Sequence, residues 1–394
     1  TDIYHPGMKD DTSPLRKNYY TWFLSAAAAD PAFDDVTSQD DIYGHGTHVA
    51  GIVGSYGSSG FEDHLGMAYG VETLVTLKAG WRNTSGGASI KFTDMCGIVD
   101  RALNHRGDLF PLGTFRDDVD GLNLSFGGST TEDDTGTSRF YDSVISSYPD
   151  LSMTTSAGNS GPDNLNFTSS GSTYNAITVG NVQDKGTADR ADDAIHPSST
   201  AGPTAFGRRK PDLSAPGSNI KAPYNEWDDF VEYHYISKSG TSMSAPAVLG
   251  IIMDLMDAGL TDELALKALL INTAQKNEPG IDIESDSDGW DPQIGFGYMN
   301  ALAAFGHRSD VFSGWVTPRG ALGDYRLYKG VMRDEGPTGE GRDRATMVWN
   351  RHATYNPAAP PTSYFSLVDL NLQLYHENDE MLVDYDVTPL DNVQ

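Results

Sequence analysis

The sequence has very little cysteine and no long apolar run. Cys96 is the single cysteine among 394 residues, so an internal disulfide, a zinc ribbon or a redox pair of cysteines cannot form. No apolar run approaches about 18 residues, the length that a membrane-spanning helix needs. These two absences exclude a disulfide-stapled scaffold and predict that the chain has no membrane span.

Basic residues are also scarce. The chain has 27 Lys and Arg against 55 Asp and Glu, which gives a formal charge of −28 and a sequence pI of about 4.5. This balance argues against binding to nucleic acid or to an anionic lipid surface, and it suits a protein in a saline, extracellular medium. The hydrophobic share of 38% includes 19 Tyr, 15 Phe and 6 Trp, which is enough for a large core. The length fits one large domain or two ordinary ones.

The first 305 or so residues alternate short β-rich runs with helical patterns. Runs at 74–78, 122–126 and 176–180 are typical of buried strands, and apolar residues of 91–104 fall on one helical face. Apolar strands that alternate with helices predict an α/β fold with a mostly parallel sheet and helices on both faces. In such sheets ligands bind beyond the carboxyl ends of the strands, and we expect the chemistry there.

The pattern changes from about residue 308. This region has no convincing helix, but 345–349 and 370–375 are β-type runs, separated by proline- and glycine-rich loops. We therefore predict a first domain over 1–307 and a smaller, all-β domain over 308–394.

A histidine begins the predicted helix in the segment 44–53, whose sequence is GHGTHVAGIV. At the rim of a helix, the neutral imidazole of His45 can act as a general base near pH 7. A lone histidine at such a position is also commonly a cap or a core residue. A metal pair with His48 is a further alternative, but the segment lacks the glutamate and the i,i+4 spacing of zinc-binding helices.

Two further segments carry polar groups at positions suited to catalysis. In 240–248, GTSMSAPAV, Pro246 fits the first turn of a helix and Ser242 then lies at its N-terminus, where developing negative charge is favoured. The alternative role of Ser242 is an N-cap. In 153–162, MTTSAGNSGP, a β-run ends at a Gly-flanked turn that holds Asn159, and by itself this is an ordinary turn.

Together and in this order, the segments resemble the subtilisin-like serine proteases, or subtilases, whose triad runs Asp, His, Ser along the chain. Residues 45–51 and 240–246 are near-complete family signatures, and 124–128, 210–217 and 295–301 also resemble family segments. The resemblance covers about 2–305. It implies that His45 is the general base, Ser242 the nucleophile and Asn159 the oxyanion donor. It implies that the substrate-binding strand contains Ser125, Phe126 and Gly127.

The second region resembles the jelly-roll domain of one subgroup. Residues 198–204, followed by Lys210-Pro211-Asp212, resemble the alkaline subtilases that carry a C-terminal jelly-roll barrel, and 345–349 and 367–372 resemble strands of that barrel. In such relatives the barrel continues past a segment like 391–393. The resemblance therefore implies that this chain stops inside the domain, as part of a longer precursor.

The sequence differs from the family pattern at the triad aspartate, because no Asp-Ser-Gly or Asp-Thr-Gly precedes His45. Asp2, 43 residues before His45, is the favoured candidate, and the strand that leads into it would then precede residue 1. Asp11, 34 residues before His45, is the second, and a residue upstream of the chain is the third. Asp41 is too near in sequence to be the partner and resembles an acidic residue that the family often carries near the cleft.

The resemblance implies a secreted, monomeric serine endopeptidase that acts on proteins or peptides and needs no cofactor for its chemistry. The alternative is a catalytically inactive subtilase-like module that binds a ligand. Many family members carry structural calcium, and one loop concentrates oxygen ligands that suit this ion. Its acidic residues are Asp282, Glu284, Asp286, Asp288 and Asp291. The EF-hand pattern is not met, so a solvated acidic loop is the alternative.

Overall fold

The protein is described by a computed structural model. The described residues are 5–8, 17–22, 41, 43–58, 60–82, 88–104, 119–226, 234–275, 289–316, 344–357, 359, 361, 367, 370–375, 382–386 and 391–393.

Six α-helices and fifteen strands lie in these residues. The helices are α1 His45–Gly54, α2 Phe92–Asn104, α3 Gly136–Ser147, α4 Thr241–Asp257, α5 Glu263–Thr273 and α6 Ala301–His307. The strands are β1 Lys17–Trp22, β2 Thr73–Lys78, β3 Gly80–Arg82, β4 Ala88–Ile90, β5 Gly121–Leu124, β6 Ser129–Thr130, β7 Ser152–Ser156, β8 Phe167–Thr168, β9 Ile177–Gln183, β10 Ala194–Ile195, β11 Leu213–Pro216, β12 Ile220–Pro223, β13 Tyr235–Lys238, β14 Leu372–Tyr375 and β15 Leu382–Asp386. No helix in this described part of the chain is long and apolar enough to cross a membrane.

The central sheet is mostly parallel, as predicted. Strands β5, β7, β9 and β11 lie side by side in that order and all run parallel, while the short β10 pairs antiparallel with the end of β9. A separate parallel pair joins β1 to β2. The four parallel strands therefore end at one edge of the sheet, and Ser125 and Asn159 follow β5 and β7 at that edge.

Helices cover both faces of this sheet. On one face, α2 and α3 form a core with Leu124 and Met153 from the strands. On the other face, α4 and α5 pack against Val179 and Leu213. Because each strand is covered on both sides, β7 is buried along its whole length. This confirms the α/β fold predicted from the sequence.

Helix α1 lies directly beside α4, which brings the starts of two signature segments into one region. Ile52 of α1 shares a buried cluster with Met243 and Ala247 of α4. Gly51 makes the approach of α1 to β12 possible, because a Cβ at this position would come within 2.3 Å of the Pro223 ring.

The strand predicted at 345–349 is wrong. This segment makes only an isolated β-bridge, between Val348 and Val393. The Thr346 hydroxyl of this segment accepts instead from Asn272 at 3.1 Å, and the flanking Asn350 donates to the buried carboxyl of Glu263. Tertiary contacts therefore override the local β propensity here.

The β-type run at 370–375 does contain a strand, since β14 pairs antiparallel with β15. Further contacts tie the C-terminal residues to the first region. The main-chain N–H of Arg351 donates to Asn175 at 2.8 Å, and that of Arg209 donates to the buried Asp391 at 2.6 Å. The domain boundary at 307/308 and the jelly-roll barrel stay predictions, because most residues between 317 and 394 lie outside the described part.

Candidate active site

His45 is the first residue of α1, and Asp41 fixes the turn that leads into this helix. The carboxylate of Asp41 accepts from the main-chain N–H of Gly44 at 2.8 Å and from the N–H and hydroxyl of Thr47, both at 2.7 Å. Burial acts to raise the pKa of Asp41, and hydrogen bonds from Thr47 and Gly44 act to lower it. The Asp41 carboxylate therefore caps the N-terminus of α1.

The His45 ring is half-buried, and its surroundings favour the neutral form. Burial lowers the pKa of His45, the nearby Lys238 ammonium lowers it further, and Asp41 opposes both. A neutral imidazole is the form that accepts a proton in general base catalysis. Within the described residues, the ring makes no hydrogen bond to Ser242, and in unliganded sites such bonds are often long or unformed.

His48 has a structural role. Its Nε2 lies 3.0 Å from the carbonyl oxygens of both Ile220 and Ile236, which join the helix to β12 and β13. Burial lowers the pKa of His48 to about 4, so the ring is neutral and Nε2–H is the donor. Because this nitrogen bridges two strands, His48 is an anchor for α1 rather than half of a metal pair with His45.

Ser242 is the second residue of α4 and half-buried, at the helix N-terminus that the sequence predicts. Its hydroxyl donates to the carbonyl oxygen of Ser125 at 3.2 Å, and the Ser125 hydroxyl donates back to the Ser242 carbonyl at 2.9 Å. The two residues are 117 positions apart in sequence. Pro246 is the sixth residue of α4, so its predicted place in the first turn is wrong by one turn.

Asn159 lies on an exposed turn after β7 and is fixed to the helix that carries Ser242. Its Oδ1 accepts from the main-chain N–H of Thr241 at 3.0 Å and from the Thr241 hydroxyl at 3.2 Å. The hydroxyl of Thr241 also accepts from the N–H of Gly158 at 3.2 Å. Because the amide oxygen is occupied by these donors, the Nδ2 group is the end that is available to donate to a ligand.

The predicted substrate-binding residues follow β5 at the carboxyl edge of the sheet. Ser125 is buried beneath Ser242, and the carbonyl of Phe126 accepts from Ser170 at 2.9 Å. Gly127 has φ of +155°, and a Cβ there would come within 2.9 Å of Thr168. These restraints hold the segment close to the nucleophile candidate, where an extended peptide can add alongside it.

The fold thus brings Ser125, Asn159 and Ser242 together through direct hydrogen bonds or through Thr241, and places His45 on the adjoining helix. Asp2 and Asp11 lie outside the described residues. The acidic loop does too, except for Asp291, whose carboxylate accepts from its own turn at Gln293 and Ile294. Elsewhere in the described ranges, no group of three or more His, Cys, Asp or Glu side chains is arranged to hold a metal ion.

Three residues of this site were missed in the sequence. Thr241 orients Asn159, Lys238 acts on the His45 ring from β13, and Asn123 contacts Ser125 at 2.9 Å. Thr241 adjoins Ser242 in the signature, which was a signal for its role. Lys238 and Asn123 gave no signal, because only the folded chain brings them to the site.

The comparisons with known proteins agree with this architecture. The Subtilase family matches residues 2–297, which is most of the chain, and the chain therefore belongs to the subtilase family. The protease domain of PatA has the same fold, with a TM-score of 0.53 at 19% identity, over 78% of this chain and 92% of that domain.

Two curated relatives are proteases by name. Serine protease AprX of Bacillus subtilis (strain 168) is 31% identical over 236 residues, which are 56% of this chain and 50% of AprX. An alkaline proteinase of Hapsidospora chrysogena is 28% identical over 252 residues, which are 62% of this chain and 51% of that protein. The matched region spans about half the length of these curated relatives.

Proposed function

We propose that this protein is a serine endopeptidase that hydrolyses peptide bonds of proteins, with Ser242 as nucleophile and His45 as general base. The observation that carries the proposal is the attachment of Asn159 to Thr241, beside Ser242. It leaves a side-chain amide donor next to a serine hydroxyl at a helix N-terminus. A nucleophile and a fixed oxyanion donor are two of the parts that acyl transfer needs.

In the proposed reaction, the Ser242 hydroxyl leaves the Ser125 carbonyl and attacks the scissile carbonyl carbon, while His45 accepts its proton. The oxyanion of the tetrahedral intermediate accepts hydrogen bonds from Nδ2 of Asn159 and from the main-chain N–H of Ser242. His45 then gives the proton to the leaving amine. Water repeats the sequence to release the acyl group and restore the serine.

The carboxylate that orients His45 is proposed to be Asp2, with Asp11 and a residue upstream as the alternatives. A carboxylate on the second ring nitrogen would fix the tautomer and stabilise the imidazolium. The test compares turnover of Asp2→Asn and Asp11→Asn. Loss of turnover in Asp11→Asn alone would assign the role to Asp11, and full turnover in both variants would assign it to an upstream residue.

The proposal extends to substrate and location. Recognition along 125–127 uses the peptide main chain, so we expect broad sequence specificity with a preference set by one side-chain pocket. The excess of acidic residues and the family relationship support a secreted, monomeric enzyme in a saline medium.

The test is covalent labelling with phenylmethylsulfonyl fluoride, followed by peptide mass spectrometry. We expect one equivalent of label on Ser242, no label in Ser242→Ala, and normal labelling in Ser244→Ala, which alters a buried serine two residues along the same helix. Asn159→Ala should lower kcat by about 100- to 1000-fold, a magnitude that comes from subtilisin itself. Absence of labelling in the folded protein would refute the enzyme and favour an inactive binding module.

A further inference from the structure

The helix that carries Ser242 contains a proline at the position that should complete its first hydrogen bonds. In an α-helix, the carbonyl of residue i accepts from the N–H of residue i+4. Pro246 is four residues after Ser242, has no N–H, and its ring crowds the carbonyl of the residue four positions earlier. The Ser242 carbonyl therefore lacks its regular i+4 donor within the helix.

The Ser125 hydroxyl supplies a donor in place of that missing N–H. Its Oγ lies 2.9 Å from the Ser242 carbonyl oxygen, and Ser125 is only 6% exposed. A serine hydroxyl rotates freely unless its lone pairs are engaged, so this contact alone does not fix the direction of its proton.

Asn123 fixes that direction. Its Nδ2 donates to the Ser125 Oγ at 2.9 Å, so the serine oxygen is an acceptor towards Asn123 and its own proton is free to point to Ser242. The orientation of the amide is set in turn by Thr154, whose hydroxyl donates to the Asn123 Oδ1 at 3.1 Å. Asn123 and Thr154 are directly paired in the parallel register of β5 and β7.

We infer that Asn123 is a positioning residue for the nucleophile. A one-directional chain of hydrogen bonds runs from Thr154 through Asn123 and Ser125 to the carbonyl of Ser242, and it connects the buried sheet to the first turn of α4. Pro246 has no N–H to donate to that carbonyl, and the Ser125 hydroxyl donates to it instead. This series of hydrogen bonds therefore fixes the backbone that carries the reactive hydroxyl. The inference rests on the proposed function, because it concerns the reactivity of Ser242.

The experiment measures the rate of Ser242 labelling by phenylmethylsulfonyl fluoride, which needs no knowledge of the natural substrate. Asn123→Leu removes the amide at similar size, and Asn123→Asp replaces the donor by an acceptor that turns the Ser125 proton away from Ser242. We expect both variants to react roughly three- to tenfold more slowly than the parent, the effect of one hydrogen bond. Casein hydrolysis should show the same loss in kcat with little change in KM.

Controls separate positioning from a loss of stability. Thr154→Ser keeps the donor and should react at the parent rate, whereas Thr154→Val should react more slowly. Thr178→Val removes one buried hydroxyl bond from the neighbouring strand β9, so it should lower the melting temperature comparably and leave the labelling rate unchanged.

A double-mutant cycle completes the test. If Asn123 acts through Ser125, then Asn123→Leu should slow labelling little further in a Ser125→Ala background. Labelling at the parent rate in both Asn123 variants, or full additivity in the cycle, would overturn the positioning role. Labelling of the parent protein would still support the protease in that case. Failure of the parent protein to react would overturn both.

Discussion

Glu263 gives the protein a specific loss of stability as pH rises from the acidic range to about 8. It is the first residue of α5, its side chain is 5% exposed, and its carboxyl accepts a hydrogen bond from Asn350 in the C-terminal segment. Burial raises the pKa of Glu263 from 4.5 to about 8, although Asn350 and Lys267 act to lower it. At neutral pH the folded protein therefore holds this carboxyl largely protonated.

The sign and size of the effect follow from proton linkage. Between pH 4.5 and 8 the folded state binds a proton that the unfolded state has released, so the free energy of unfolding decreases as pH rises through this window. This contribution is fully present below pH 4.5 and lost above pH 8. The difference between the two pKa values corresponds to at most about 5 kcal/mol.

Glu263→Gln should remove this dependence, because glutamine mimics the protonated acid. Its amide can donate to Asn350 Oδ1, which accepts no hydrogen bond from the described residues. The comparison is made in a Ser242→Ala background to prevent self-digestion, by thermal unfolding between pH 5 and pH 9. We expect the variant to equal its parent near pH 5 and to exceed it increasingly up to pH 9.

Glu132→Gln, at an exposed position, is the matched control and should change stability equally little at every pH. A difference between Glu263→Gln and its parent that stays constant with pH, or that is largest at pH 5, would refute the reasoning.

Two further predictions concern α1. Because Lys238 lowers the pKa of His45, Lys238→Gln should raise that pKa. In the pH profile of kcat/KM, the acid limb should then move to higher pH, and an unchanged acid limb would contradict the reasoning. Gly51→Ala places a Cβ within 2.3 Å of Pro223 and should lower the free energy of unfolding by about 1–3 kcal/mol in denaturant titrations. Gly70→Ala is the control, because its Cβ would meet no atom of the described residues within 4 Å; equal losses in both variants would argue against the clash.

The C-terminal segment shows how tertiary contacts override local pattern. Residues 345–349 have the composition of a strand, yet Thr346 and the flanking Arg344 and Asn350 form hydrogen bonds with residues of the first region. The buried Trp349 pairs through its main chain with Asn392, 43 residues later in sequence. Local propensity carries no information about such partners, so the sequence pattern predicted a strand where the folded chain has only an isolated bridge.

In the candidate site, too, some residues are predictable from the local sequence and others only from the fold. His45 and Ser242 were predictable because each lies in the first turn of a helix whose start is encoded nearby, by a glycine N-cap and by the apolar stripe that follows. The capping role of Asp41 is also local, since its partners lie within six residues. By contrast, Asn123 and Lys238 act on residues far away in sequence, and their roles depend on strand register and on the placement of β13.

The sequence by itself determined the parallel α/β sheet, the family and the helix starts that present His45 and Ser242, because hydrophobic period, glycine placement and signature segments are local properties. Only the tertiary structure decided that the Asn159 amide oxygen is held by Thr241, which leaves Nδ2 to donate. Only the tertiary structure brought the Ser125 hydroxyl to the Ser242 carbonyl, which receives no hydrogen bond from Pro246 because proline has no N–H. The direction of a hydrogen bond depends on what each partner already donates or accepts, and those partners meet only when the chain has folded.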